Sequence, residues 1–356
     1  MDTNSDLISR NVAEVITKRD LNILLSQAKD LKGYIGVEPS GLFHLGWMIW
    51  AAKLKDLMDA GLQMIFFEAT WHAWINDKLD GDMANIETCA SYLELCLDAL
   101  GLDINKLRFV KANELVDESD YWAIVLKVAK HMTLARAKRA LTIMGRKEGE
   151  ASIDFSKLIY PAMQVSDIFY LDLDLCLGGM DQRKAHILAR EVAEKLNFKK
   201  PICVHTPLLI GLKGLERMDV SRNNDVDLID GKMSKSKPDT CIFIHDTEEV
   251  IYGKMLNAYC PPRQIENNPV IDFNRYLLFS DKNFSLNIER PVRYGGSMIL
   301  DNFEEFKKAY QDGQIHPLDL KKATAKALNN KLEPVRKYFK YNRKGRELYL
   351  KMKKIV

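Results

Sequence analysis

The sequence predicts an α/β fold, a parallel sheet wrapped in helices, followed by a mainly α-helical C-terminal region. Three observations predict it. A short buried-type strand, YIGV (Tyr34 to Val37), leads through the turn-rich EPSGLF into the helical run WMIWAAKLKDLMDA and then a second apolar strand, QMIFFEAT; strand, turn, helix, strand is the repeating unit of a parallel α/β sheet. Long amphipathic stretches, Asn85 to Leu100 and Tyr121 to Met144, separate the later strand candidates. After Leu212 the chain turns polar and charged, then mostly helical.

Taken in order, Asp6 to Asp30 reads as helical, with Leu7, Ile8, Val12, Val15 and Ile16 near helical spacing. Gly61 closes the helix that starts at Gly46. Further strands are expected in LRFV near Phe109, YLDLDL near Leu173 and ICVHTPLL near Cys203. Pro161 suits the first turn of a helix. The loop KGLERMDVSRNNDVDLIDGK marks a domain boundary, and no internal repeat or low-complexity segment is visible.

Composition excludes several classes. At 356 residues the chain is long enough for two domains, and 47% hydrophobic with 28% charged residues is ordinary for a water-soluble protein. No apolar run is long enough to span a bilayer. The opening MDTNSDLISRN lacks the charged-then-apolar pattern of a signal peptide. The six scattered cysteines form no CxxC pair, which argues against a metal site or a disulfide framework and fits a reducing cytoplasm, the expected location. A net charge of +3 says little about nucleic acid, but the closing stretch RKYFKYNRKGRELYLKMKK is heavily basic.

Two short motifs carry chemistry. PSGLFHLGW (Pro39 to Trp47) lies between a strand and a helix, where free N–H groups and a partial positive charge suit a triphosphate. Gly46 leaves room for a base to stack on the backbone, and His44 is placed to donate to a phosphate oxygen. A helix cap with a satisfied histidine is the plainer reading of the same residues. KMSKS (Lys232 to Ser236) sets Lys232 and Lys235 on a polar loop able to clamp pyrophosphate; a solvated charged loop is the plainer alternative. A third stretch, YPAMQVSDIFYL, places Tyr160, Gln164 and Asp167 at i, i+4 and i+7, on one helix face. That face is either solvated or the wall of a polar pocket.

The two motifs in this order resemble class I aminoacyl-tRNA synthetases, whose HIGH-type and KMSKS-type signatures bind ATP across a Rossmann-type sheet. KMSKS matches fully; HLGW has Trp47 where the family usually has its second histidine. YPAMQVSDIFYL resembles the tyrosine-binding helix of archaeal and eukaryotic tyrosyl-tRNA synthetases, and the resemblance runs from about Ile8 to Phe339. It implies that Tyr34 and Asp167 bind the substrate phenol, that Tyr160, Gln164 and Gln182 hold its ammonium end, and that Asp181 faces the ribose of ATP. It further assigns Gly36, Ser40, His44, Gly46, Trp47, Lys232, Met233, Ser234, Lys235 and Ser236 to ATP, with Mg²⁺ accompanying the nucleotide and no protein-held metal. His44, Lys232 and Lys235 are the expected catalytic residues.

The same resemblance implies a catalytic domain at 1–213 with a connective helical insertion at about 115–157, a KMSKS loop and linker at 214–245, and a helical anticodon-binding domain at 246–356. Its partners are tRNA(Tyr), L-tyrosine and a second copy in a homodimer, with no membrane. The basic helix HMTLARAKRALTIMGRK, with Arg136, Lys138, Arg139, Arg146 and Lys147, then lies at the dimer interface and touches the acceptor stem, and Arg183 helps read the first acceptor pair. Tyr294 and His316, in RPVRYGG and IHPLDL, are expected to sandwich an anticodon base, and Asp319 to accept from a guanine; a helix N-cap is the competing reading of Asp319. A tryptophanyl enzyme is the nearest rival, opposed by the pairing of Tyr34 with Asp167. A synthetase-like RNA-binding protein without catalysis is the alternative from another class.

Overall fold

The computed structural model describes residues 4–27, 30–145, 154–214, 231–235 and 238–356. The chain divides into two compact units. The first holds Met1–Leu42, Trp50–Pro207 and Lys344–Val356; the second holds Phe43–Ile49 and Leu208–Arg343. The division differs from a simple run of consecutive segments for a local reason. Leu45 N–H donates to the Ile242 carbonyl and Ile244 N–H to that of Phe43, so the HLGW segment is stitched to chain beyond KMSKS.

The first unit is built on six strands: β1 (Glu14–Ile16), β2 (Lys32–Val37), β3 (Gln63–Glu68), β4 (Arg108–Lys111), β5 (Leu175–Gly179) and β6 (Ile202–Thr206). They lie in the order β1-β6-β5-β2-β3-β4. All neighbours run parallel except β1, which pairs antiparallel with β6. The chain therefore winds outward from β2 to β4, returns to the other side at β5, and continues to β6. Doubly wound sheets of this kind bind ligands beyond the carboxyl ends of the strands that flank the reversal. Here those ends are Val37, followed by Glu38, and Gly179, followed by the turn Met180–Gln182.

Four expectations are corrected. Asp6 to Asp30 is not one helix: Asn4–Ser9 and Lys18–Gln27 are helical, and β1 lies between them. Asn11 takes a left-handed φ of 51°, which ends helical propagation, and Glu-Val-Ile then finds a partner in β6. Tyr121 to Met144 breaks after Lys130, and Thr133 caps a new helix, Leu134–Ala140, by accepting from Arg136 N–H. The strand placed near Leu173 begins at Leu175, because Tyr170 still belongs to the preceding helix. Finally, Pro161 lies well inside the helix Phe155–Tyr170, whose N-cap is Asp154, accepting from Ser156 and Lys157 N–H.

One buried cluster in this unit contains Tyr34, Phe67, Tyr121, Tyr160, Met163 and Val165, so the predicted substrate helix packs into the core. Each large side chain buried there contributes roughly 1.5–3 kcal/mol. The second unit is mainly helical, with Glu248–Leu256, Phe303–Gln311 and Pro317–Tyr341 the main described helices. It also carries a small antiparallel pair, β7 (Leu286–Ile288) and β8 (Met298–Leu300), which the helical pattern did not announce.

Candidate active site

The helix Phe155–Tyr170 turns its polar triad inward. Asp167 is 2% exposed, and one of its oxygens accepts a 2.9 Å hydrogen bond from Tyr121 Oη. His72 Nε2 lies 3.1 Å from the other oxygen. The ring nitrogens of His72 make no aligned hydrogen bond, so the contact is one of charge and proximity. Burial alone would lower the pKa of His72, but the Asp167 carboxylate outweighs it and raises the imidazole above its usual 6.5. Tyr34, 1% exposed on β2, has its phenol pushed well above the usual range by burial first, then by Cys176 and Asp167. Burial, then Asp167, does the same to Tyr121. Both phenols therefore stay protonated, and that of Tyr121 donates to the buried carboxylate.

The other end of the triad meets the strand termini. Tyr160 Oη donates to Glu38 Oε1 at 2.5 Å, just past the end of β2. Asn76 Nδ2 donates to both Glu38 oxygens, at 3.1 and 3.0 Å. Gln164 Nε2 donates to Gln182 Oε1 at 2.9 Å, and Gln164 Oε1 is buried with no hydrogen-bond partner among the described residues. An unpaired buried acceptor costs about 1–3 kcal/mol, and an ammonium group, with three donors, would satisfy it. Gly36 lies in β2 against the Tyr34 ring, Ser40 Oγ donates to the Glu38 carbonyl at 3.0 Å, and Asp181 is half-buried in the turn after β5.

The structure brings Tyr34, Tyr160, Gln164, Asp167 and Gln182, all expected from the sequence, together with Glu38, His72, Asn76 and Tyr121, which the sequence did not single out. Glu38 alone had a local signal, since it immediately precedes the PSG turn at a strand end.

The second unit holds the HLGW end of the first motif and KMSKS. Gly46 N–H donates to His44 Nδ1 at 3.1 Å, and a Cβ on Gly46 would lie 2.9 Å from the His44 ring, so glycine is needed for that close approach. Burial, then Lys235 and Lys232, holds the His44 pKa well below 6.5. His44 is therefore neutral, and with Nδ1 accepting, its proton sits on Nε2. Lys232 bridges to Ile210, and Met233 N–H donates to Leu209 O at 2.7 Å with its side chain buried, which anchors the start of KMSKS. The Lys235 ammonium stands over the Trp47 ring, 3.9 Å from its centroid. Ser234 is half-buried; Ser236 lies outside the described residues.

Among the residues expected to face RNA, Tyr294 is exposed on the turn Val292–Tyr294 and His316 is exposed at the start of Pro317–Tyr341. The N-cap there is His316, whose Nδ1 accepts from Leu318 N–H at 3.2 Å, so Asp319 sits one turn in and is not the cap. Arg290, unremarked in the sequence, donates to the carbonyls of Gly296 and Gln314 and ties the Tyr294 turn to the strand of chain before His316. Arg136 Nη2 pairs with Glu191 at 2.9 Å, and Arg183 Nε with Glu14 at 2.6 Å. Arg146 and Lys147 lie outside the described residues.

A protein-family model described as tRNA synthetases class I (W and Y) matches residues 26–232 and 226–333. The chain belongs to this family. Among its relatives, a tyrosine–tRNA ligase of Saccharolobus islandicus is 53% identical over 358 residues, covering 100% of this chain and 99% of the relative. One of Sulfurisphaera tokodaii is 54% identical over 331 residues, 93% and 91% of the two chains. The tyrosyl-tRNA synthetase of Pyrococcus horikoshii, solved with L-tyrosine, superposes with a TM-score of 0.90 at 40% identity, covering 99% of this chain and 100% of that one. The Aeropyrum pernix structure gives 0.87 at 44%, covering 99% and 98%.

The Asp167 charge sets the titration of His72, and its removal leaves burial in control. In NMR titrations His72 is expected to titrate above 6.5 in the wild type and below it in Asp167→Asn. A group with a raised folded pKa contributes stability that is fully present below the unfolded value near 6.5 and is lost as pH rises through the folded value. An unchanged His72 titration in the variant would contradict the assignment.

Proposed function

We infer that this chain joins tyrosine to tRNA(Tyr) in two steps: tyrosine and ATP give tyrosyl adenylate and pyrophosphate, and the terminal ribose hydroxyl of the tRNA then attacks the adenylate carbonyl. The observation that carries this reading is the buried Asp167 carboxylate, ringed by protonated phenols, on the helix that also bears Tyr160 and Gln164. A substrate phenol donates to Asp167 and accepts from Tyr34, and a phenylalanine leaves both unpaired. Its ammonium meets the orphaned Gln164 oxygen, with Tyr160 and Gln182 beside it. An indole offers one donor and no acceptor, which disfavours tryptophan.

The nucleophile of the first step is already an anion, so positioning and charge stabilisation do the work. His44 donates from Nε2, and Lys232 and Lys235 bring positive charge to the leaving phosphates. Mg²⁺ is expected to come with the nucleotide, held by its phosphate oxygens; among the described residues no group of three or more His, Cys, Asp or Glu is placed to hold a metal ion. The RNA partner is expected to meet Arg136 and Arg183 at its acceptor end and Tyr294, His316 and Asp319 at its anticodon. A homodimer is proposed through the first unit, where Trp122, Leu126, Leu134 and Phe155 are exposed apolar side chains in or beside the expected insertion. A cytoplasmic location follows from the proposed role in translation; no helix among the described residues is long and apolar enough to cross a membrane.

ATP–pyrophosphate exchange with tyrosine, tryptophan and phenylalanine side by side tests the reading. Exchange with tyrosine alone is expected; exchange with tryptophan overturns the specificity, and none at all from folded protein favours an RNA-binding role without catalysis. Asp167→Ala should collapse the preference for tyrosine over phenylalanine. Lys235→Ala should lower the activation rate by roughly 10²-fold, the scale for losing one transition-state donor, with tyrosine affinity nearly unchanged; equal losses in both count against its role. Leu126→Asp should convert a dimer to a monomer in light scattering, and a wild-type monomer would refute the proposed association.

A further inference from the structure

The edge strand β1 carries Glu14, whose Oε1 accepts two hydrogen bonds, from Arg183 Nε at 2.6 Å and from His205 Nδ1 at 2.8 Å. His205 Nε2 is 3.0 Å from His186 Nδ1. The four residues come from three elements of the first unit. Glu14 and His205 are register partners across β1 and β6. Arg183 and His186 stand three apart on the helix Arg183–Leu196, and so share a face. Both imidazoles are buried, while Glu14 and Arg183 reach the surface.

The direction of this chain of bonds follows from charge. Burial above all, then Arg183, holds the His205 pKa down to about 4. Burial, then His205, holds that of His186 well below 6.5. Both rings are therefore neutral at pH 7, with one N–H each. A carboxylate oxygen only accepts, so the His205 proton sits on Nδ1. Its Nε2 then accepts, and His186 Nδ1 is the donor. The buried pair thus fixes the Glu14 rotamer from below. At its inner end it is packed tightly: a Cβ on Gly178 would lie 2.9 Å from both His186 Cε1 and Gln182 Cβ. The bond to Glu14 takes Arg183 Nε and leaves the two amino groups of the guanidinium for an outside acceptor such as a phosphate or a base edge.

We propose that Glu14 is a positioning residue for tRNA: it holds the Arg183 guanidinium toward the acceptor end, and the His205–His186 pair holds Glu14. This rests on the reading of Arg183 as an acceptor-end contact. The charging reaction feels the arrangement, whereas tyrosine activation, which involves no tRNA, does not.

The test compares the two half-reactions in the full-length chain. Glu14→Gln keeps the shape and removes the charge. It is expected to lower kcat/KM for tRNA charging about tenfold, equivalent to about 1.4 kcal/mol, while tyrosine-dependent pyrophosphate exchange stays within about twofold of wild type, the spread expected of an uninvolved substitution. The double variant Glu14→Gln/Arg183→Ala is expected to charge no worse than Arg183→Ala alone, because Glu14 acts through that arginine. Should Glu14→Gln not fold, His205→Gln serves the same comparison, since it loosens Glu14 and spares the carboxylate. Equal losses in exchange and charging would mark a merely structural role and overturn the proposal. So would unchanged charging, or additive losses in the double variant. A wild-type chain without tyrosine-dependent exchange would instead fault the function on which the proposal rests.

Discussion

A carboxylate taken out of water costs several kcal/mol unless partners surround it, and Asp167 is such a carboxylate. Its partners come from two other elements: Tyr121 from the helix Ser119–Lys130 and His72 from Thr70–Ile75. Satisfying Asp167 therefore fixes three helices against one another. Aromatic packing finishes the arrangement, with His72 edge-on to Tyr160 at 5.0 Å and to Phe67 at 5.9 Å. Tyr34 enters the same cluster from β2, the strand at which the sheet reverses direction. The polar residues proposed to read the substrate are thus also part of what holds this core together.

In the second unit the Lys235 ammonium lies over the Trp47 indole. Such a contact is worth about 0.5–2 kcal/mol, enough to orient the lysine and weak enough to yield to a phosphate. In the usual family pattern the position of Trp47 supplies a histidine donor. Here it supplies a face, and the ring also packs against Phe43 and His44 at 5.4 and 5.1 Å. The departure at HLGW thus has a structural counterpart: Trp47 links the two motifs through Lys235. His44, neutral and with Nδ1 accepting from Gly46 N–H, carries its proton on Nε2.

Much of this was legible in the sequence, and the pattern of what was not is instructive. The spacing of Tyr160, Gln164 and Asp167 announced a shared helix face because helical period is a local property. Tyr121, His72 and Glu38 carry the same pocket but stand in three separate elements, and no spacing rule connects them. β1 was hidden because its three residues continue a helix-like apolar pattern; only its pairing with β6 makes it a strand. Pro161 was taken for a helix start, whereas Asp154 supplies the cap a turn and more earlier. For β1 a tertiary partner overruled a local preference that was itself sound; for Pro161 a second local signal, the Asp154 cap, decided where the helix begins.

The edge strand shows how such partners are recruited. A parallel sheet that ended at β6 would leave a row of unpaired backbone groups open to other chains. β1 covers that row with three residues, and their antiparallel register sets Glu14 opposite His205. Had the strand slipped by one residue, Val15 would take that place and the carboxylate would point to the other face. The backbone pairing that closes the sheet is therefore also what delivers a charge to Arg183. Covering an edge and orienting a guanidinium are one event, and neither can be altered by mutation of the strand's backbone register without altering the other.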